Sequence, residues 1–245
     1  MVLPRSLTLP VDTLARILTW ENLGEPHRTL APTPVWRSAS AESDAERDAR
    51  AQAAQLGLLD RRGRVEAEVA ASLSVVCRPR VEFYGWINDG KETIGVLAAA
   101  IGREAILAIG DGEQVWLSQA KADGLAQAAA AQTPDVPPAR SDTVSVLRSE
   151  AADRRSQPSP QVRLVRRIAE LPVTGSGELH VAVRDSMGRR RQSPRPLNYA
   201  DTPHGRWLNH ATPLSTGDDR VTVAPATRAD LAAMLTRMHS ALAHD

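Results

Sequence analysis

The chain has 245 residues, of which 42% are hydrophobic, 24% are charged and 3% are aromatic, and its formal net charge is +1. The hydrophobic and charged fractions are typical of a soluble globular protein, and a charge near zero gives no global field that would attract nucleic acid or membrane. Cys77 is the only cysteine, which excludes an intrachain disulfide and favours a reducing compartment.

Two further observations bear on localisation. No basic segment leads into an apolar segment after Met1, so we expect no signal peptide. The most apolar stretch, residues 95–110, contains Arg103 and Glu104 and is too short to span a bilayer. We therefore expect a cytoplasmic protein that does not insert into membranes.

The first third of the chain predicts an edge strand and three helices. Residues 6–9 alternate like a short strand, and an amphipathic helix should follow and end at Gly24. Ser43 and Glu46 have the spacing of a capping box and predict the start of the second helix. The third helix is predicted over residues 65–77, before a proline.

A meander of strands comes next. Residues 80–88 alternate strictly between two faces, and the sequence Asn88-Asp-Gly90 predicts a tight hairpin turn because these residues tolerate positive φ. The remaining elements of this part are predicted as strands over residues 93–101, 103–109 and 114–118 and a helix over residues 120–131.

The second half of the chain begins after a proline-rich connector over residues 133–143. We expect a mobile or weakly helical stretch over residues 148–159, a helix over 161–171 and a flexible turn at Gly175-Ser-Gly177. Strands are predicted over residues 178–184, 197–200, 205–209 and 220–224, followed by a helix over residues 227–242.

The chain shows signs of an internal duplication. Residues 115–126 align without gaps with residues 221–232, and each segment is typical of a last strand that turns directly into an amphipathic helix. Each is preceded by short strand-like runs. A duplicated unit of this kind predicts one large sheet with pseudo-twofold symmetry, which can function by presenting a surface instead of a catalytic pocket.

One stretch offers a candidate catalytic pair. Asp201 and His204 could perform acid–base chemistry in a small hydrolase or transferase. The alternative is architectural: Asp201 caps a tight turn, Gly205 supplies an unusual backbone geometry and Arg206 pairs with Asp185. We favour the architectural interpretation because no nucleophile accompanies the pair, and we expect no catalytic residue, no cofactor and no metal site.

The run Arg189-Arg-Arg191 forms a basic hairpin that could touch phosphates. Binding of single-stranded nucleic acid usually also needs aromatic side chains between the basic residues, and this segment has none. A solvated turn is therefore the better interpretation, and we expect no nucleic-acid partner.

The strand over residues 80–88 carries a candidate binding surface. Tyr84, Trp86 and Asn88 share one of its faces, and Trp116 points away from its own neighbours on a later strand. If helices cover the opposite face, which carries Phe83, these aromatic rings lie on the open face of the sheet, where they would mark an interaction surface. The alternative, in which another layer buries them, stays open.

Five motifs, spread over nearly the whole chain, carry a resemblance to a known family. They are Leu56-x-Leu58-Leu-Asp-x-x-Gly63-Arg-Val65, Arg78-Pro79-Arg-Val81, Val183-Arg-Asp185-x-x-Gly188-Arg189, Asp201-Thr202-x-x-Gly205-Arg206-Trp207-Leu208 and Val221-x-Val-x-Pro225-Ala226. In order and spacing they resemble the EspG family, the cytosolic chaperones associated with ESX (type VII) secretion in actinobacteria.

The resemblance implies an α+β fold with a central, largely antiparallel sheet, flanking helices and two quasi-symmetric halves. We expect a single domain over residues 1–245, with halves of about 1–132 and 144–245. The resemblance assigns an architectural role to the motif residues Asp185, Gly188, Asp201, Gly205 and Arg206.

The function implied by the resemblance is not enzymatic. Members of the family bind the hydrophobic tip of a PPE-type protein, usually paired with a PE partner, keep it soluble and target it to the ESX machinery. A similar helical client and a weak homodimer stay open. No single residue carries over for client contact, so our candidates come from strand alternation: Tyr84, Trp86, Asn88, Trp116, His180 and Arg184.

Overall fold

The computed structural model describes the backbone of residues 6–244 and the side chains of residues 6–243, so the expectation about the segment at Met1 lies partly outside it. The described elements are β1 (Leu7–Pro10), α1 (Val11–Trp20), α2 (Ala39–Gln55), α3 (Ala67–Cys77), β2 (Val81–Asn88), β3 (Thr93–Ile101), β4 (Glu104–Gly110), β5 (Gln114–Gln119), α4 (Leu125–Ala130), β6 (Val144–Leu147), α5 (Arg148–Ala152), α6 (Pro160–Ala169), β7 (Gly175–Arg184), β8 (Arg190–Gln192), β9 (Leu197–Thr202), β10 (Gly205–Pro213), β11 (Asp219–Pro225) and α7 (Arg228–His244).

All of these strands belong to one sheet in the order β1-β5-β4-β3-β2-β7-β9-β10-β11-β6, with β8 paired to β7. The order runs outward from the centre in the same way on both sides, as β2-β3-β4-β5-β1 and as β7-β9-β10-β11-β6. At the centre, β2 and β7 pair antiparallel from Val81↔Val183 to Asn88↔Ser176. The predicted α+β fold, with a central antiparallel sheet and two quasi-symmetric halves, is confirmed.

Helices cover the middle of one face of the sheet, which we call face B. Phe83 and Ile87 of β2 pack there against α4 and α7 in one buried cluster, as the alternation of the strand predicted. Leu125 of α4 and Leu231 of α7 occupy equivalent positions in the duplicated segments and are 3% and 0% exposed. The equivalent burial of these leucines agrees with the sequence alignment of the two halves.

The opposite face, face A, is covered at its two sides. Over β3, β4, β5 and β1, helices α1 and α3 contribute Leu14, Ile17 and Leu73 to a cluster of buried residues. Over β10, β11 and β6, helix α6 packs Val162 against Trp207 in a smaller cluster. The helices of these two clusters lie over the outer strands and leave the centre of face A between them.

A loop over residues 24–30 extends the cover on face A toward the centre. Its backbone passes directly over β3, where a Cβ on Gly95 would lie 2.0 Å from the carbonyl oxygen of Thr29. Only glycine permits so close an approach of two backbone segments. The loop is therefore held against the sheet by a backbone contact as well as by its side chains.

A buried carboxylate joins this loop to the sheet. Glu82 is 2% exposed, its Oε2 lies 3.1 Å from His27 Nε2, and its Oε1 accepts a hydrogen bond from Arg190. Burial raises the pKa of Glu82, but the hydrogen bond from His27 and the charges of His27 and Arg190 outweigh burial and leave the pKa below its usual range. The ionised carboxylate thus links the loop, β2 and β8.

Two predicted helix starts were wrong, because α2 begins before Ser43 and α4 begins at Leu125 and not at residue 120. Ser38, not Ser43, caps α2, because its Oγ accepts a hydrogen bond from the Ala41 N–H. The stretch over residues 148–159, which was predicted as mobile or weakly helical, contains the short helix α5, and the first residue of this helix, Arg148, forms an ion pair with Asp219. At α2 and α5 a polar contact, and not hydrophobic periodicity, marks the start of the helix.

The expected flexible turn at Gly175-Ser-Gly177 was also wrong, because these residues begin β7. A Cβ on Gly177 would lie 2.3 Å from Cε1 of Tyr199, so the aromatic ring of the neighbouring strand occupies the space above the glycine. Glycine here permits close packing within a strand instead of a change of direction. The short strands β6 and β8 had no prediction.

Arg206 forms a buried ion pair, but its partner is Asp201 and not the predicted Asp185. Arg206 is 0% exposed and Asp201 is 1% exposed, and the guanidinium donates from Nε and Nη2 to the two carboxylate oxygens at 2.6 and 2.8 Å. It also donates to Thr133 Oγ1 and to the carbonyl of Pro134, both at 2.8 Å. These bonds fix the start of the connector to β9 and β10.

We predict that Arg206→Met lowers the free energy of unfolding by about 3–5 kcal/mol, since it leaves the Asp201 carboxylate buried without its cation. Urea denaturation followed by circular dichroism measures this. Arg103→Met, in an exposed turn after β3, is the control and should change stability by less than about 0.5 kcal/mol. A loss below about 1 kcal/mol for Arg206→Met would contradict the assigned role.

Glu82 predicts a dependence of stability on pH. Its pKa in the folded state is depressed, so its ionised form stabilises the fold above the unfolded-state pKa, and this contribution disappears as the pH falls through the folded-state pKa. Glu82→Gln removes the contribution. The stability difference between wild type and Glu82→Gln should therefore be largest near neutral pH and shrink in acid, measured by urea denaturation at several pH values.

The matched control is Glu113→Gln, at an exposed position. Its stability difference from wild type should be small and nearly constant with pH. If Glu82→Gln behaves like Glu113→Gln, the ion pair under the loop does not contribute to stability.

Candidate functional site

Among the described residues, no helix covers the centre of face A, which is formed by β2, β7, β9 and the part of β10 around Asn209. Cross-strand pairs place Trp86 beside Glu178, Glu178 beside Asn198 and Asn198 beside Asn209. The surface around Trp86, Glu178 and Asn198 forms a cleft of about 450 Å³. We call this surface the central strip and define it by Trp86, Asn88, Ser176, Glu178, Asn198 and Asn209.

Polar side chains form most of the central strip. Glu178 and Asn209 are exposed, and Asn88 and Asn198 are half-buried. Asn88 is held in place by the hairpin turn, since its Oδ1 accepts a hydrogen bond from the Gly90 N–H and its Nδ2 donates to Thr93, both at 2.8 Å. The turn chemistry that the sequence predicted therefore also fixes one end of the strip.

Trp86 is the large apolar side chain of the strip and is half-buried, in agreement with its predicted place on this face. The guanidinium carbon of Arg28 lies 4.7 Å from the centroid of its ring, which is a cation–π distance. The rings of Tyr84 and His180 meet Trp86 edge-on at 6.5 Å. Trp86 is thus held in one orientation, with part of its surface open to a partner.

Tyr84 is fully buried, so of the two alternatives for its ring the structure shows burial under another layer, and direct contact of Tyr84 with a partner is not supported. The loop over residues 24–30 covers it, with the His27 ring edge-on at 4.7 Å, and its hydroxyl donates to Gln192 Oε1 of β8 at 2.7 Å. These covering segments are distant in sequence, which is why strand alternation alone did not predict them. Tyr84 lies beside Trp86 on the same face of β2 and meets its ring edge-on.

His180 is also buried, at 7% exposure, and lies in the same supporting layer. Its ring stacks on Tyr84 at 5.0 Å, its Nδ1 lies 3.1 Å from Gln192 Nε2, and its Nε2 lies 2.6 Å from Glu178 Oε1. The imidazole therefore orients Glu178, the exposed carboxylate of the central strip. Direct contact with a partner was predicted for His180, and its burial favours this orienting role instead.

Trp116 lies on the wrong face for the predicted surface. The cross-strand pairs Trp86↔Gly95, Gly95↔Gly110 and Gly110↔Val115 put Val115, not Trp116, on face A. Trp116 is therefore on face B, near the edge of the sheet, and is 40% exposed. The sequence showed which neighbours it alternates with but did not give the register that assigns the face.

Arg184 lies at the other end of β7 and lines a second, larger cleft of about 640 Å³. Its Nη1 donates to the Gly188 carbonyl at 3.0 Å, and its Nε lies 3.4 Å from the carbonyl of Pro79. Three other arginines line the same cleft. We call it the arginine cleft and define it by Arg28, Arg78, Arg184 and Arg190.

The predicted acid–base pair is not arranged for catalysis. Both oxygens of Asp201 accept hydrogen bonds from Arg206, whereas His204 is exposed in the turn between β9 and β10. Gly205 in this turn has φ +107° and its Cα approaches the backbone of Ala139 closely. The turn has the architecture expected of the motif, with the ion-pair partner corrected to Asp201.

The basic hairpin is held by contacts within the chain. Arg189 pairs with Asp185, Arg190 with Glu82, and Arg191 donates to the carbonyl of Leu242 near the end of α7. Asp185 also accepts the Arg189 N–H at 2.9 Å across the turn. These contacts fit the interpretation of the hairpin as a structural turn.

Sequence reasoning missed Arg28, Glu178 and Asn198. Glu178 and Asn198 could have been found from the period of two along β7 and β9, had Gly175-Ser-Gly177 been interpreted as the start of a strand. Arg28 lies in a loop without periodicity, so no local signal pointed to its place over Trp86.

In the part of the chain that is described, no three His, Cys, Asp or Glu side chains come together as a group that could hold a metal ion. Over the same residues, no helix combines the length and the apolar character needed to cross a bilayer.

Comparison with known proteins identifies the family. The sequence profile of the EspG family matches residues 10–237. The fold is similar to that of the type VII secretion system chaperone EspG5 of Mycobacterium tuberculosis, solved in complex with a PE25–PPE41 dimer; the TM-score is 0.72 with 14% sequence identity, over 94% of each chain. No curated protein sequence matches the chain. Since the profile spans nearly all of the sequence, this chain belongs to the EspG family.

Proposed function

We propose that the chain is a cytoplasmic, non-enzymatic chaperone of type VII secretion that binds a PPE-type protein, paired with its PE partner, through the central strip. The observation that carries the proposal is an uncovered strip of sheet in a member of the EspG family, between two helical layers. A complex with a PE–PPE dimer is the state in which the similar chaperone EspG5 was solved.

The dimensions of the strip suit a helical client. The row from Trp86 to Asn209 crosses four strands, which at about 4.8 Å per step is about 14 Å. A helix with its side chains is about 10 Å wide, so the tip of a helical client can lie across the row. A stable complex of this type buries about 1,200–2,000 Å² of surface in total, so the contact extends beyond the strip.

The apolar and the polar residues of the strip have different roles in binding. Trp86 supplies apolar area in a fixed orientation, and buried aromatic anchors of this kind dominate the affinity of many interfaces. Glu178, Asn198 and Asn209 surround it with hydrogen-bonding groups, which favour clients with matching polar groups. The apolar anchor thus provides affinity and the polar residues provide selection.

We also propose that residues 1–245 form a single domain of two halves, about 1–132 and 144–245, joined by the connector 133–143. Continuous pairing of β2 with β7 supports one body, and so do the hydrogen bonds from Arg206 of the second half to Thr133 and Pro134 of the connector. The absence of enzymatic activity is part of the proposal, and the engagement of Asp201 with Arg206 supports it.

We predict that Trp86→Ala weakens binding of a PE–PPE-type dimer by about 30-fold, because it removes the apolar anchor of the strip. Co-expression with such a dimer and affinity co-purification detect the loss, and isothermal titration of the purified partners gives Kd. Thermal melting of the variant alone shows that it is folded.

Trp116→Ala is the matched control, since it removes the same side chain from face B. It should change Kd by less than about threefold. Equal effects of the two substitutions, or unchanged recovery of the dimer with Trp86→Ala, would contradict the assignment of the client to face A.

A further inference from the structure

The arginine cleft carries positive charge that carboxylates of the fold do not balance. Four arginines line it against two carboxylates, Glu25 and Glu82. Glu82 is already bound by His27 and by Arg190, so it does not offset the other arginines. The cleft therefore presents an excess of positive charge in a chain whose overall charge is only +1.

Three of these arginines have no carboxylate partner among the ion pairs of residues 6–243. Arg184 donates to backbone carbonyls, Arg28 lies over Trp86, and Arg78 is exposed beside the loop near Gly24. Charges placed together without counter-charges repel one another, and an anion that enters the cleft relieves this repulsion. The unpaired set thus indicates an anionic ligand.

Two of the three arginines are held in position before any ligand binds. Arg184 is fixed by its bonds to Gly188 and Pro79, and Arg28 by its contact with the Trp86 ring. Side chains that are already ordered lose less entropy when they bind, so their charges contribute more to association. The guanidinium groups can also hold a carboxylate through two hydrogen bonds.

The cleft is continuous with the central strip. Arg28 lines the cleft and at the same time lies over Trp86 of the strip. Along face A, the positive cleft is at the end of β2 near Glu82, while the strip carries the exposed carboxylate of Glu178. A client that lies on face A therefore meets a surface that is positive at one end and negative at the other.

We propose that the arginine cleft binds an acidic segment of the client protein and so sets the direction in which the client lies on face A. This inference rests on the proposed function. A protein segment with carboxylates fits better than a nucleic acid, because the residues that line the cleft include no Phe, Tyr or Trp on which bases could stack.

The first test needs no client. A fluorescently labelled oligo-glutamate peptide is titrated at about 50 mM salt into wild type and Arg28→Glu/Arg78→Glu, and we expect at least about tenfold weaker binding to the variant. The matched control, Arg103→Glu/Arg220→Glu, changes the net charge equally at exposed positions and should bind within about threefold of wild type. Arg28→Lys/Arg78→Lys keeps the charge and should retain most of the binding.

Equal peptide binding by the two charge-reversed variants would overturn the proposal, since it would show a response to net charge alone. Tighter binding of a single-stranded oligonucleotide of equal charge would overturn the assignment to an acidic protein. Binding that does not weaken at about 0.5 M salt would show that the contact is not electrostatic.

The second test uses the PE–PPE-type dimer that the wild-type chain captures. Arg28→Glu/Arg78→Glu should reduce its association rate at least about tenfold at low salt, and the reduction should shrink as salt is added. An unchanged rate with this variant, together with a loss on Trp86→Ala, would refute the inference alone. If the dimer binds all variants equally, the proposed function of face A fails as well.

Discussion

Strands β2 and β7 pair along eight residues at the centre of the sheet, and this contact turns two half-sheets into one surface. The approach is so close at Gly85 that a Cβ there would lie 1.9 Å from the carbonyl oxygen of Glu178. Any larger side chain would force the two strands apart. Register in a sheet decides which side chains share a face, so this pairing also places Trp86 beside Glu178.

The uncovered strip follows from how the helices are distributed. Each half supplies a helix after its last strand, α4 or α7, and both pack on face B at the centre. The helices that precede the meanders pack on face A, but over the outer strands of each half. Near the pseudo-twofold axis, face A therefore consists of side chains from the strands and of the loop over residues 24–30. A surface between two helical layers can accept a helix that would otherwise expose its own apolar residues.

Much of this architecture could be predicted from local patterns. The alternation along β2 predicted the strand and the face that α4 and α7 cover, and the turn at Asn88-Asp-Gly90 predicted where the strand ends. The buried state of Tyr84 could not be predicted, because it depends on a loop that crosses β3 at Gly95. A glycine in an otherwise apolar strand was the available sign of a close backbone approach, but it does not name the segment that approaches. Trp116 was misplaced for a related reason, since faces follow from pairing and not from alternation alone.

The central claim is that a client covers the centre of face A, and hydroxyl-radical footprinting tests it most directly. Oxidation of each tryptophan is measured by mass spectrometry in the free chain and in the complex with a PE–PPE-type dimer. The account predicts that Trp86 is protected in the complex, whereas Trp116 on face B is oxidised as in the free chain. Protection of Trp116 with unchanged oxidation of Trp86 would contradict the account.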